Sequence, residues 1–304
     1  MYTTENLIEQ IKDNTSTEFA QGRFSQSTII NICNQEAIKR IKPLVTDLQK
    51  EFFVITTSLS LPIGTQYVRI PKRAASRGFR SLYLQVGTDR YEITQITRET
   101  GIGEMSTQLG LPRAFYFEAD SIVFTQPVAQ VTTLVMVVEV SPGSLVLSTS
   151  VTTVASVDFV TGLVIASGTP TGYGVAVPFD FVQQLGFGNA ALGVGITPLS
   201  VSGTSYTFTP SDLPATLIAG DYLTFAGQTP IPNMPDEAVV VLIHAVSARI
   251  FRLRGDFNAM NAEEKELQNA IIYLERALSD RVEGLRPVIQ NTTSLLRGAR
   301  ARRF

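Results

Sequence analysis

A chain of 304 residues with 44% hydrophobic and 17% charged side chains is globular rather than disordered, and long enough for one large domain or two ordinary ones around a sizeable core. A formal net charge of -2 excludes a general nucleic-acid coat, and the single cysteine, Cys33, excludes an intramolecular disulfide. The opening residues carry no apolar h-region, and no stretch approaches the roughly 18 uninterrupted apolar residues of a membrane span, so neither a signal peptide nor a transmembrane helix is expected and synthesis in a cytoplasm is.

The segment TENLIEQIKDN predicts a short helix with Leu7, Ile8 and Ile11 on one face. A polar connector follows. A longer helix then starts on Ser27 as its N-cap, with Ile30, Cys33, Ala37 and Ile41 as its buried stripe. Among those apolar positions Cys33 reads as a small buried hydrophobe rather than a reactive thiol. Pro43 lacks the amide and clashes with the turn before it. The helix is therefore expected to end near Lys42, with a second short one, PLVTDLQKEF, starting on the proline.

At Phe52 the pattern turns to β. FFVITTSLSLPIGTQYVRIP reads as strand–turn–strand, SLYLQV and YEITQIT as a hairpin around GTDR, and AFYFEADSIVFTQP as a hairpin turning at EADS. TTLVMVVEV is apolar enough for a strand buried on both faces. Residues 142–227 shift to Gly, Thr, Ser and Val with no Lys or Arg. They predict an inserted all-β domain, sandwich- or barrel-like, with turn glycines in GLV and AGDYL. That unit is expected to contact neighbouring copies or another partner.

QTPIPNMP reads as a stiff linker. Helical periodicity then returns in DEAVVVLIHAVSARIFRLR and AEEKELQNAIIYLERALSD, an αα-hairpin across GDFN. Ile243, Val246, Ile250 and Leu253 share one face of its first helix, and Leu267, Ile271, Leu274 and Leu278 one face of its second. Those faces need a partner, and the helix near residues 27–42 is the available one. The expected fold class is α+β: a helical bundle formed by the N- and C-terminal helices, with an antiparallel β region and the inserted all-β domain. In chain order, residues 1–141 hold the first helices and the antiparallel β region, 142–227 the insertion, 228–285 the αα-hairpin, and 286–304 a basic docking tail.

Catalytic chemistry has little to work with. His244 is the single histidine, set in a helix of Val, Leu, Ile and Ala, and reads as a satisfied or partly exposed helix residue. No second histidine and no Cys-x-x-Cys completes a metal pair. GFGNAALGVG does not open a helix within a βαβ unit, no Walker A sequence is present, and the acids of NAEEKEL read as a solvated helix face. Trp is absent, which argues against a sugar-stacking lectin surface. No catalytic, cofactor-binding or metal-ligating residue is assigned and no cofactor is expected. A hydrolytic carboxylate pair stays open, because spacing through space is not visible in a sequence.

The last stretch is NTTSLLRGARARRF. From residue 284 onward there is no Asp or Glu, while Arg286, Arg297, Arg300, Arg302 and Arg303 are present. Leu295, Leu296 and Phe304 give a solvated tail no benefit. Together with Arg297, Arg300, Arg302 and Arg303 they predict a segment that docks on a partner, apolar side chains as anchors and guanidinium forks as charge contacts.

The N-terminal helix, the strands of SLSLPIGTQYVRIPKRAASRGFRSLYLQVGTDRYEI, the β-rich excursion, the proline-led helix pair TPIPNMPDEAVVVLIHAVSARIFRLRGD and the closing DRVEGLRPVIQNTTSLLRGARARRF line up in one order. In that organisation the chain resembles a head-to-tail adaptor (connector) protein of a short-tailed, podovirus-like bacteriophage. The resemblance spans most of the chain and rests on organisation and short phrases. It implies a structural virion protein, not an enzyme. Such a protein assembles as a ring, usually a dodecamer, below the portal at the head–tail junction. The ring joins capsid to tail and extends the DNA channel. The implied partners are other copies of the chain, the portal protein, downstream tail or ring proteins and, transiently, passing DNA, with no membrane. Two alternatives stay open: another virion ring or tail component, and a tail-associated hydrolase with the β segment as its substrate-binding module.

Overall fold

The computed structural model describes residues 2–16, 24–70, 74–169, 172–175, 177–184 and 191–278. The fold is α+β. Helix α1 (Thr4–Thr15) starts on Thr3, whose hydroxyl accepts from the Asn6 N–H, and buries Leu7, Ile8 and Ile11 as the periodicity predicts. Helix α2 (Gln26–Glu36) starts on Ser25, not Ser27. Ser25 is the residue in extended conformation, and its hydroxyl accepts from the Thr28 N–H at 3.2 Å. The buried stripe shifts with the cap: Ile29, Ile32, Cys33, Ala37 and Ile41 are buried and Ile30 is half-buried.

The chain does not break at Pro43. Residues Ala37–Ile41 widen into a π turn, in which the Lys42 N–H reaches back to the Ala37 carbonyl, and α3 (Lys42–Leu48) continues with Pro43 in its first turn. A proline there needs no amide partner, and the wider turn ahead of it shifts the carbonyls that its ring would strike.

The β region follows as β1 (Val54–Leu61), β2 (Tyr67–Arg69), β3 (Ala74–Val86), β4 (Asp89–Glu92) and β5 (Thr94–Gln95). A short helix α4 (Arg98–Gly103) comes next, then β6 (Ala114–Glu118), β7 (Ser121–Phe124) and β8 (Thr132–Val140). They make two four-stranded sheets, in the orders β1-β8-β3-β4 and β2-β7-β6-β5. The AFYFEADSIVFTQP hairpin forms, with Glu118 opposite Ser121, and the SLYLQV hairpin forms in part, with Val86 opposite Asp89 across Gly87 (φ 61°), while Thr94 and Gln95 of YEITQIT leave it to pair in parallel with β6. The strand–turn–strand around PIG is not a hairpin: β1 pairs with β8 and β2 with β7, in different sheets. Strand β8 is central. Thr132, Leu134, Met136, Val138 and Val140 are buried on one face, while the other mixes buried Val135 with half-buried Thr133, Val137 and Glu139. Glu139 pairs with Lys42 Nζ at 3.2 Å, which ties β8 to α3.

Strand β9 (Ser144–Leu145) precedes the β-rich unit of β10 (Thr152–Asp158), β11 (Leu163–Ala166), β12 (Phe179–Val182), β13 (Ala191–Ile196), β14 (Ser200–Ser202), β15 (Ser205–Thr207) and β16 (Tyr222–Phe225). These form one seven-stranded sheet, ordered β13-β12-β16-β10-β11-β15-β14. Strand β10 is its corner: Thr152 and Thr153 pair with β16, while residues 154–158 pair with β11 across a bulge between Val154 and Ser156. The bulge folds the sheet over, so β12 meets the β15 side across the core. Phe179 and Tyr206 stand 5.7 Å apart, and Phe181 and Phe208 5.4 Å apart, edge to face. At Gly162 (φ 72°) a Cβ would come within 2.1 Å of the Phe208 carbonyl oxygen, so the β10–β11 turn admits no other residue.

The turn Pro210–Asp212 packs this unit against β1. Burial there pushes the Asp212 carboxyl above the usual aspartate range, against hydrogen bonds from Ser211, Thr209 and the Ser60 backbone that pull it down. A raised carboxyl stabilises the fold most when protonated, and that contribution is lost as pH rises through the raised value. Asp212→Asn is uncharged at every pH. It is expected to raise the melting temperature at neutral pH and to leave it unchanged in acid, as paired thermal melts will show. A lower melting temperature at neutral pH speaks against the burial effect.

Strand β17 (Gln228–Thr229) pairs in parallel with β9 and returns the chain to the helices. The proline-rich stretch is no free spacer. Residues 229–235 are all buried, and the Pro230 carbonyl accepts both the N–H and the hydroxyl of Thr4, at 2.9 and 2.8 Å. Leu145 and Met234 belong to the helical core.

Helix α5 (Asp236–Arg254) is buried nearly all round, with Leu242, Val246 and Ile250 wholly inside. It lies among α1, α2 and α6 (Phe257–Leu278), and so has no single buried stripe. Leu253 breaks the expected stripe and is 51% exposed in the last turn. Gly255 (φ 79°) caps α5. On α6, Leu267, Leu274 and Leu278 are buried and Ile271 is half-buried. The two ends of the described chain thus close one bundle, from which the β units depart and to which they return.

Candidate functional site

The docking residues expected from the sequence, Leu295, Leu296, Arg297, Arg300, Arg302, Arg303 and Phe304, lie outside the described residues, as does Arg286. Helix α6 runs to Leu278, which is buried against the bundle.

Among the described residues, no group of three or more His, Cys, Asp or Glu side chains is placed to hold a metal ion. His244 is partnered: its Nδ1 lies 2.8 Å from Glu263 Oε1, both side chains being mostly buried between α5 and α6. Glu263 therefore departs from the solvated face expected for NAEEKEL. Cys33 is wholly buried, and burial pushes its thiol up to about 12, which leaves it an inert packing residue. Of GFGNAALGVG, residues 191–195 sit in β13 and not at a helix start, and the preceding ones lie outside the described residues.

The bundle surface is more informative. On one flank a groove of about 800 Å³ runs between α1, the start of α5 and α6. Glu9 and Asp13 of α1, one turn apart, face Asp236 and Glu237 in the first turn of α5, where acids complement the helix dipole. Tyr273 of α6, 64% exposed, forms its apolar wall. On another flank a groove of about 820 Å³ runs between the π turn, α5 and α6. The buried Ala245 and Ala248 line it. Ile38 (53% exposed) and Leu253 (51% exposed) rim it.

The cations of this second groove are of two kinds. Arg249 is fixed: it donates to Glu36 Oε1 at 2.8 Å and to Gln35 Oε1 at 2.6 Å. Arg40 reaches the same Glu36 carboxylate at 3.6 Å, so a nearly buried acid holds both. Lys39 and Arg252 are exposed and make no ion pair among the described residues. The two grooves are thus similar in size, opposite in charge and each lined by exposed apolar side chains.

Comparison with known protein families and with curated proteins finds no match for this chain. Its function is therefore argued from these surfaces and from the chain's organisation. Neither groove was picked out in the sequence. The signal was present as Glu9 and Asp13 at i,i+4 and Arg249 and Arg252 at i,i+3, each pair on one helix face. A further pattern is the absence of any Lys or Arg between Arg113 and Arg249, so the β-rich unit carries no positive side chain while the first β region, the bundle and the last residues do. Among the described residues, no helix is long and apolar enough to cross a membrane.

Proposed function

We propose that the chain is a structural subunit of a phage head–tail adaptor ring. Its bundle builds a ring, as a dodecamer, below the portal. The β units project from that ring toward tail components and the channel carries passing DNA. The observation that carries this reading is the bundle itself. Helices from both ends of the described chain close around α5, while the two β units leave and re-enter through the buried segment 229–235. A frame of this kind holds projecting elements in fixed relation, which a structural ring needs. The arginine-rich residues 286–304 supply the portal contact, with Leu295, Leu296 and Phe304 as anchors and Arg297, Arg300, Arg302 and Arg303 as forks for acidic side chains. Apolar anchors beside arginines fit a protein groove better than a phosphate backbone.

Deleting the residues after Thr293 tests this. The truncated chain is expected to melt as the full chain does and to be lost from a portal pull-down. Undiminished portal binding by the truncated chain refutes the docking role.

A further inference from the structure

The two grooves lie on different flanks of the same helix pair. Helix α6 supplies Glu264 to the basic groove and Tyr273 to the acidic one. Nine residues of α-helix rotate by about 180° net, so these side chains point to opposite sides of α6. The remaining walls also differ: α1 closes the acidic groove and the π turn the basic one. Neither surface is self-complementary, since each would set like charge against like in a two-fold pair. Each does complement the other, in sign, in size and in exposed apolar residues.

We propose that the acidic groove of one copy receives the π-turn edge of the basic groove of the next. Lys39 and Arg252 meet Glu9, Asp13, Asp236 and Glu237, while Ile38 and Leu253 pack against Tyr273. Such a contact joins two different patches, and is therefore heterologous. It propagates from copy to copy and closes into a ring when the rotation allows. The inference deepens the adaptor reading and rests on it for the ring. It names the surfaces through which copies meet. The free cations explain the direction of docking: Arg249 and Arg40 already neutralise Glu36, whereas Lys39 and Arg252 have no partner in their own chain among the described residues. The π turn contributes by presenting Ile38, Lys39 and Arg40 as three consecutive exposed residues between buried Ala37 and Ile41.

The test uses charge reversal in the full-length chain. One variant carries Lys39→Glu with Arg252→Glu, and the other Glu9→Lys with Asp13→Lys. All four positions are exposed, so both variants are expected to keep the wild-type melting temperature. In sedimentation velocity each alone should weaken self-association by roughly tenfold or more, and the wild-type contact should weaken with added salt. An equal mixture of the two variants should restore association, because the reversed faces complement each other. Wild-type assembly by either variant alone, or no rescue on mixing, overturns the proposal. If rings seen by electron microscopy survive both reversals, this interface is wrong and the adaptor reading stands. If the wild-type chain remains monomeric both alone and on portal particles, both fall. If Lys39→Glu with Arg252→Glu abolishes duplex-DNA retention in a gel shift while assembly is unchanged, the basic groove belongs to nucleic acid and the proposal is overturned.

Discussion

Asp180→Ala is expected to destabilise the β-rich unit by about 2–6 kcal/mol, the cost of losing two hydrogen bonds to a buried carboxylate and leaving two partly buried donors without their acceptor. Asp180 has no exposed surface. Its Oδ1 accepts from the Gly195 N–H at 2.7 Å and its Oδ2 from the Gly227 N–H at 2.8 Å. Both glycines have positive φ, 70° in the bulged end of β13 and 88° in the β16–β17 turn, so each amide sits where another residue would strain the backbone. One carboxylate thereby fastens the end of β13 and the turn between β16 and β17. Alanine removes both acceptors and supplies nothing in return. Asp180→Asn separates hydrogen bonding from charge: it keeps one acceptor and turns an amide NH2 toward the other glycine N–H, so only part of the loss should be recovered. Denaturant unfolding followed by tyrosine fluorescence gives the numbers. A change below about 0.5 kcal/mol for alanine would mean that the carboxylate does not fasten these two segments.

That aspartate shows what the sequence could and could not convey. The helices of the bundle were legible because their apolar residues recur at three and four, and Leu7, Ile11, Cys33, Leu267 and Leu274 are buried as that spacing requires. The hairpins around Gly87 and Ala119 were legible because a short turn between alternating runs leaves few other pairings. Three things were not. Ser25 and Ser27 are both good caps, and the choice between them depends on the backbone angle at which the chain enters α2. The departure of β2 from β1 into another sheet is decided by β7 and β8, far along the chain, and no local pattern records it. The roles of Asp180 and the two grooves arise from residues brought together across the fold. Leu253 is the clearest case. Its spacing places it in the apolar stripe of α5, yet in the last turn of that helix the side chain is half exposed on a groove rim.

Leu253 and Leu274 accordingly separate in a second experiment with a large expected effect. Leu274→Ala is expected to cost about 2–5 kcal/mol, through lost burial plus the cavity left behind. Leu274 is wholly buried on α6 within the cluster that also holds Ile11, Ile41, Leu242 and Ile250, so the vacated space borders on closely packed neighbours. Leu253→Ala removes the same atoms from a side chain already half in water, and should cost less than about 1 kcal/mol in the isolated chain. If Leu253 lies at an interface between copies, its truncation should instead weaken association, while Leu274→Ala should lower the melting temperature first and affect assembly only through unfolding. The pair thus divides packing within the bundle from packing between bundles. Equal melting temperatures for the two variants would contradict the placement of α6 on the bundle core. A stable Leu253→Ala chain that assembles as the wild type does would take Leu253 out of the contact and leave Ile38 to carry its apolar part.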